Sequence, residues 1–143
     1  MHRRPRRRFA ALSAALFAVL LAQIPLADAL EPQVNYMLQC MGCHTPDGSG
    51  APDRVPSFKG TLGPFSDLPD GRRYLIQVPG ASQSSLTDAE LAVLINWMIE
   101  NLGVTKPRHF RQFTPVEVAA YRRTPLVEVR ATRERLLALV KSP

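Results

Sequence analysis

The sequence predicts an all-α fold, a small helical domain followed by a helical C-terminal extension, and two observations carry that expectation. Thr87-Asp88-Ala89-Glu90 is a capping box, and it opens a run in which Leu91, Leu94, Ile95, Met98 and Leu102 recur at helical spacing. Nowhere does the chain alternate apolar and polar residues convincingly over strand length, and it holds no internal repeat or low-complexity run.

The amino terminus reads as an export leader. Arg3, Arg4, Arg6, Arg7 and Arg8 form a charged segment, Phe9 to Ile24 is an apolar run closed by Pro25, and Ala27-Asp28-Ala29 is a small-residue cleavage site. The run is short for a membrane span of about 20 residues, so cleavage after Ala29 is favoured over an uncleaved anchor. The general secretory route is favoured over the twin-arginine route that Arg6-Arg7-Arg8-Phe9 loosely resembles. Removing the leader takes five of eighteen basic residues and one of twelve acidic ones, so the basic balance of the whole chain gives no argument for nucleic-acid binding.

A short helix is expected next, with Pro32 in its first turn and Val34, Tyr36, Met37 and Leu38 along it. From Thr45 to about Ser85 the chain is rich in Pro, Gly, Asp and Ser and reads as loop, with a short helix near Gly71 to Gln77. The helix opened at Thr87 should stop at Gly103, and Lys106-Pro107 reads as a linker. Beyond it, Thr114-Pro115-Val116-Glu117 is a second capping box, starting a helix to about Arg123. Thr124-Pro125 is expected to start another to about Val140, with Leu126, Val129, Leu136, Leu137 and Val140 on a buried side.

The chemistry is concentrated in Cys40-Met41-Gly42-Cys43-His44, which uses both cysteines of the chain. C-x-x-C-H is the spacing at which two thiols can add to the two vinyl groups of one haem while the adjoining imidazole binds its iron. Three other readings compete: a redox dithiol, half a zinc site, or a structural disulfide. A zinc site needs a second ligand pair, and only His2 and His109 remain as histidines; a redox dithiol should open a long helix, whereas Thr45 to Pro52 is a loop. Haem of this kind is attached outside the cytoplasm, which agrees with the leader.

Glu31 to Leu102 resembles the class I cytochrome c family. The residues that carry the likeness are Cys40 to His44, the loop Asp47-Gly48-Ser49-Gly50, and Leu94-Ile95-Asn96-Trp97-Met98. The resemblance implies a small helical domain wrapped around one covalent haem c. It implies Cys40 and Cys43 as attachment points and His44 as proximal iron ligand. It also implies that the Pro56 carbonyl accepts the imidazole N–H of His44 and that Trp97 packs near Tyr36.

The sixth iron ligand departs from the family pattern. Its usual place is the loop before the last helix, and Tyr74 to Ser85 contains no Met, His or Lys. The candidates, in order, are Met98, an open or water-bound position, and His109. For Met98 the competing reading is packing against the haem.

The expected organisation is therefore a signal peptide over residues 1–29, a haem domain over 30–103, and a basic helical extension over 104–143. The middle segment holds four basic residues against eight acidic, the last nine against three. Arg122, Arg123, Arg130, Arg133, Arg135 and Lys141 either form a docking face for an acidic partner or are simply solvated. The expected function is one-electron transfer in the periplasm by an electron carrier rather than an enzyme. Its expected partners are protein donors and acceptors, a periplasmic dehydrogenase among them, with no nucleic acid and no membrane span after cleavage. The alternative is a five-coordinate haem that binds a small gas or reacts with peroxide.

Overall fold

The computed structural model describes residues 29–141, and the predicted leader, apart from its last residue, lies outside the described residues. The described chain is all-α. It forms no strand, and its one β-type contact is the isolated bridge between Ala51 and Val55. Among the described residues no helix is long and apolar enough to cross a membrane.

Among the described residues seven helices follow in order: α1 Pro32–Gln39, α2 Leu62–Ser66, α3 Pro69–Gln77, α4 Pro79–Ser82, α5 Asp88–Asn101, α6 Pro115–Arg122 and α7 Val129–Lys141. Proline stands in the first turn of α1, α3, α4 and α6, where its missing N–H has no helical partner to lose. The capping box at α5 is complete, since the Thr87 hydroxyl accepts from the Glu90 N–H and the Glu90 carboxylate accepts from the Thr87 N–H. At α6 the box is half made. Thr114 accepts from the Glu117 N–H, but the Glu117 carboxylate is taken by Arg72 instead.

Two expectations about helices need correction. Leu62–Ser66 and Pro79–Ser82 are helical within the stretch read as loop; Gly63 and Pro64 disfavour a helix interior but sit in the first turn of α2, where proline costs little. The last helix starts at Val129 rather than at Thr124-Pro125. The Thr124 carbonyl accepts from the Gln77 side chain at 3.0 Å, which commits it elsewhere than to a first helical turn.

The central element is α5, which buries Leu91, Leu94, Ile95, Met98 and Ile99. Against it lies α1, where Tyr36 and Trp97 meet with ring centroids 5.7 Å apart, the packing implied by the family resemblance. The segment after Gly103 shares this core: Phe113 and Val118 belong to the same buried cluster. Asn96 clamps the Phe113 backbone by accepting from its N–H at 2.8 Å and donating to its carbonyl at 3.0 Å. A second buried cluster joins Phe65, Tyr74 and Leu136, and the apolar stripe of α7 packs on it through Val129, Leu137 and Val140.

Arg72 ties the two halves together. Its guanidinium makes a paired contact with Glu117, both bonds at 2.6 Å, and donates to the carbonyls of Arg111 at 2.8 Å and Gln112 at 3.2 Å. The same group lies over the Phe113 ring, 3.7 Å from its centroid. Arg122 is also turned inward, bonding the carbonyls of Ser82, Leu86 and Ser84 and pairing with Asp88, so it is withdrawn from any docking face.

Burial pushes the Glu117 carboxyl up, but hydrogen bonds and charge from Arg72 and Arg111 outweigh it and hold the group below its ordinary value. A depressed folded pKa stabilises the fold above the unfolded-state value of about 4.3, and that contribution is lost as pH falls through the folded value. Glu117→Gln should therefore lower stability at pH 7 by about 3 kcal/mol, because it leaves a buried guanidinium without its counter-charge. Denaturant unfolding of the matured protein at pH 7 and pH 3 checks this: the gap between wild type and variant should narrow at the acid end.

Candidate haem site

The site is built by the turn that ends α1. The Cys40 N–H bonds the Tyr36 carbonyl at 2.9 Å, and the His44 N–H returns to the Cys40 carbonyl at 2.8 Å. This folds Cys40, Cys43 and His44 around one turn. The Tyr36 hydroxyl then donates to the Thr45 carbonyl at 2.6 Å and fixes where the chain leaves it. Tyr36 is 1% exposed, and burial first, with the nearby Cys40 and Asp47, pushes its hydroxyl up to about 12, so it remains a donor at neutral pH.

The following loop is organised on Asp47. Its carboxylate accepts from Lys59 at 2.5 Å, Thr45 at 2.7 Å, and the Ser49 hydroxyl and N–H at 2.8 and 3.1 Å. Those bonds, Lys59 foremost, hold its carboxyl well below the usual range. Gly48 and Gly50 both have positive φ, 75° and 71°, and a Cβ on Gly50 would meet the carbonyls of Val55 and Pro56. The Gly48 carbonyl accepts from the Phe58 N–H at 2.8 Å. Phe58 is thereby brought against His44, ring centroids 3.9 Å apart and 21° from parallel.

An apolar cavity of about 280 Å³ opens beside this turn. Cys40, Cys43, His44 and Pro56 line one part; Leu91, Leu94, Ile95 and Met98 of α5 line another; Tyr74, Leu75 and Val78 close a third. Val129 and Arg133 reach it from α7. The three motif residues and Met98 thus face one space. His109 does not line it: its side chain is exposed, and its backbone N–H bonds Asp67 at 3.1 Å. Met37 is 53% exposed on α1.

The chemistry of the donors agrees with a covalently held haem. Both thiols are free, and burial, with Cys43 second, pushes the Cys40 thiol up to about 11, opposite to the lowered value that a redox dithiol needs. Among the described residues no cluster of three or more His, Cys, Asp or Glu could hold a metal ion, which disfavours a zinc site. Burial lowers the His44 pKa and favours the neutral imidazole that binds iron. Its Nδ1 is buried without a hydrogen-bond partner, a cost of about 1–3 kcal/mol for an imidazole that nothing else completes. The bond to the Pro56 carbonyl that the resemblance implies is therefore not formed, and the stack on Phe58 sets the ring plane instead.

Sequence reasoning missed Phe58 as the partner of His44 and missed the contribution of α7. The second was legible in principle, because Arg133 falls on the stripe of Val129, Leu136, Leu137 and Val140. A cation on an apolar stripe invites the question of what it faces.

No family model matches the chain, and no solved structure matches it. Two curated proteins do, both named Cytochrome c-552 and both from Thermus thermophilus. One is 29% identical over 136 residues, covering 82% of this chain and 90% of its own length. The other is 29% identical over 116 residues, covering 68% of this chain and 88% of its own length. Their names are those of cytochromes c, and the likeness, joined to the all-α fold and the C-x-x-C-H cavity, supports a c-type cytochrome.

Proposed function

We propose that the chain carries single electrons in the periplasm through one haem c, attached by thioether bonds at Cys40 and Cys43 and bound at iron by His44. The observation that carries this is the convergence of both cysteines and His44 on one apolar cavity walled by α5. When bound, the haem supplies a one-electron Fe(II)/Fe(III) couple whose potential follows its axial ligands and burial. The chain's own part is positioning and exclusion. Tyr36 and the Asp47 loop hold the attachment turn, Phe58 sets the plane of the His44 ring, and the leucines of α5 keep water from the site. Donor and acceptor are redox proteins, and a periplasmic dehydrogenase is the donor class we favour.

A five-coordinate haem that binds a small gas or reacts with peroxide is the second reading, and a specific observation favours it. Pro79, Gly80, Ala81 and Ser84 line the cavity from the segment before α5, and none offers a strong iron ligand. Met98 is the competing sixth ligand, 8% exposed on the cavity wall.

Protein matured beside a functional haem-attachment system should retain haem on a denaturing gel, and Cys40→Ala with Cys43→Ala should lose it. Wild-type protein without covalent haem sinks the reading. Met98→Leu separates the two coordination states. If Met98 binds iron, the variant moves the ferric spectrum toward high spin and lowers the potential. If it only packs, the change is nearly volume-conserving, costs less than about 1.5 kcal/mol and leaves the spectrum unaltered.

A further inference from the structure

Among the described residues that line the cavity, Arg133 alone carries a permanent charge. Four of the other tail arginines meet partners within the protein, and Arg108 and Arg130 are exposed to solvent. Arg111 pairs with Glu117, Arg122 and Arg123 with Asp88, and Arg135 donates to the Thr132 hydroxyl. Arg133 is half-buried, makes no ion pair among the described residues, and stands one turn from Val129 on the face of α7 that packs on Tyr74 and Phe65. Burial raises the Tyr74 hydroxyl pKa while the charge of Arg133 opposes it, which agrees with the closeness of the two groups at the cavity wall.

An unpaired guanidinium held against an apolar cavity is costly unless the occupant brings a counter-charge. Haem brings two carboxylates on its propionate arms, and these face the same difficulty in reverse. The planar fork of arginine matches a carboxylate, so each group removes the other's cost.

We propose that Arg133 is the carboxylate anchor of the bound haem, with the Tyr74 hydroxyl as a second donor, so that the C-terminal helix is part of the cofactor site. The inference rests on the haem reading above. It also gives α7 a reason to be where it is: the helix closes the cavity with Val129 and meets the acid edge of the macrocycle with Arg133.

The test uses matured, haem-loaded protein and three variants, Arg133→Gln, Arg133→Lys and Arg135→Gln, read by midpoint potential and by the resonance Raman propionate-bending band. Arg133→Gln should lower the midpoint potential, because an unneutralised carboxylate near the iron favours the ferric state, and should shift the propionate band. Arg133→Lys, which keeps the charge but not the fork, should restore part of the potential and still shift the band. Arg135→Gln removes the same charge from an exposed position and should change neither. A haem-loaded Arg133→Gln with wild-type potential and band overturns the anchor, as does an Arg135→Gln that lowers the potential equally. Should Arg133→Gln fail to mature, Arg133→Lys decides: a shifted band supports the anchor and an unshifted one overturns it. Wild-type protein without covalent haem would fail at the earlier step and sink the haem reading itself.

Discussion

The buried guanidinium of Arg72 is the interaction on which the rest of the architecture depends. It sits in α3, and every partner it finds outside that helix's neighbourhood comes from the segment around the start of α6: the carbonyls of Arg111 and Gln112, the ring of Phe113 and the carboxylate of Glu117. An arginine can serve all of these at once because its fork offers five donors in one plane with an open face on either side. Buried ion pairs add little net stability, but they are intolerant of displacement, since moving either partner strands the other. The consequence here is positional. Once α6 is pinned to α3, α7 is returned over the Phe65 and Tyr74 cluster and so to the edge of the cavity.

The cavity in turn explains why the core is divided. One buried cluster runs through Tyr36, Leu91, Leu94, Met98 and Val118, and the other through Phe65, Tyr74 and Leu136. Residues of both line the same space. A chain of this size has a modest core to spend on stability, and an apolar cavity at its centre is a liability unless an apolar occupant completes it. A covalently attached macrocycle is such an occupant. The Asp47 network and the left-handed glycines show how much local structure is committed to holding the Cys40–His44 turn in shape.

How much of this was legible in the sequence depended on whether the signal was local. The C-x-x-C-H turn, the complete capping box at Thr87 and the stripe of α5 are set by neighbours within one or two turns, and all are present at the expected positions. The start of α7 was misplaced because the Thr124 carbonyl answers to Gln77, a residue from another element. The half-made box at Thr114 has the same cause, since Glu117 is claimed by Arg72. The stack of Phe58 on His44 was invisible because it depends on the Gly48 carbonyl drawing the Phe58 N–H across the loop. Long-range hydrogen bonds overrode local pattern at each of these places.

The charge division along the chain illustrates the same point. Read linearly, an acidic stretch before Gly103 and a basic stretch after it suggest a surface prepared for an acidic partner. In three dimensions part of that complementarity is satisfied internally. Arg122 and Arg123 of the basic stretch pair with Asp88 of the acidic one, and Glu117, one of three acids in the tail, is claimed by Arg72 from the body. Arg133 turns to the cavity. Arg122 and Arg133 are thereby withdrawn from the surface while Arg123, Arg130, Arg135 and Lys141 stay exposed, a narrower basic face than composition suggested. Arg122 and Arg133 are therefore better understood as means by which the chain attaches its last two helices to the body than as parts of a device for reaching a partner.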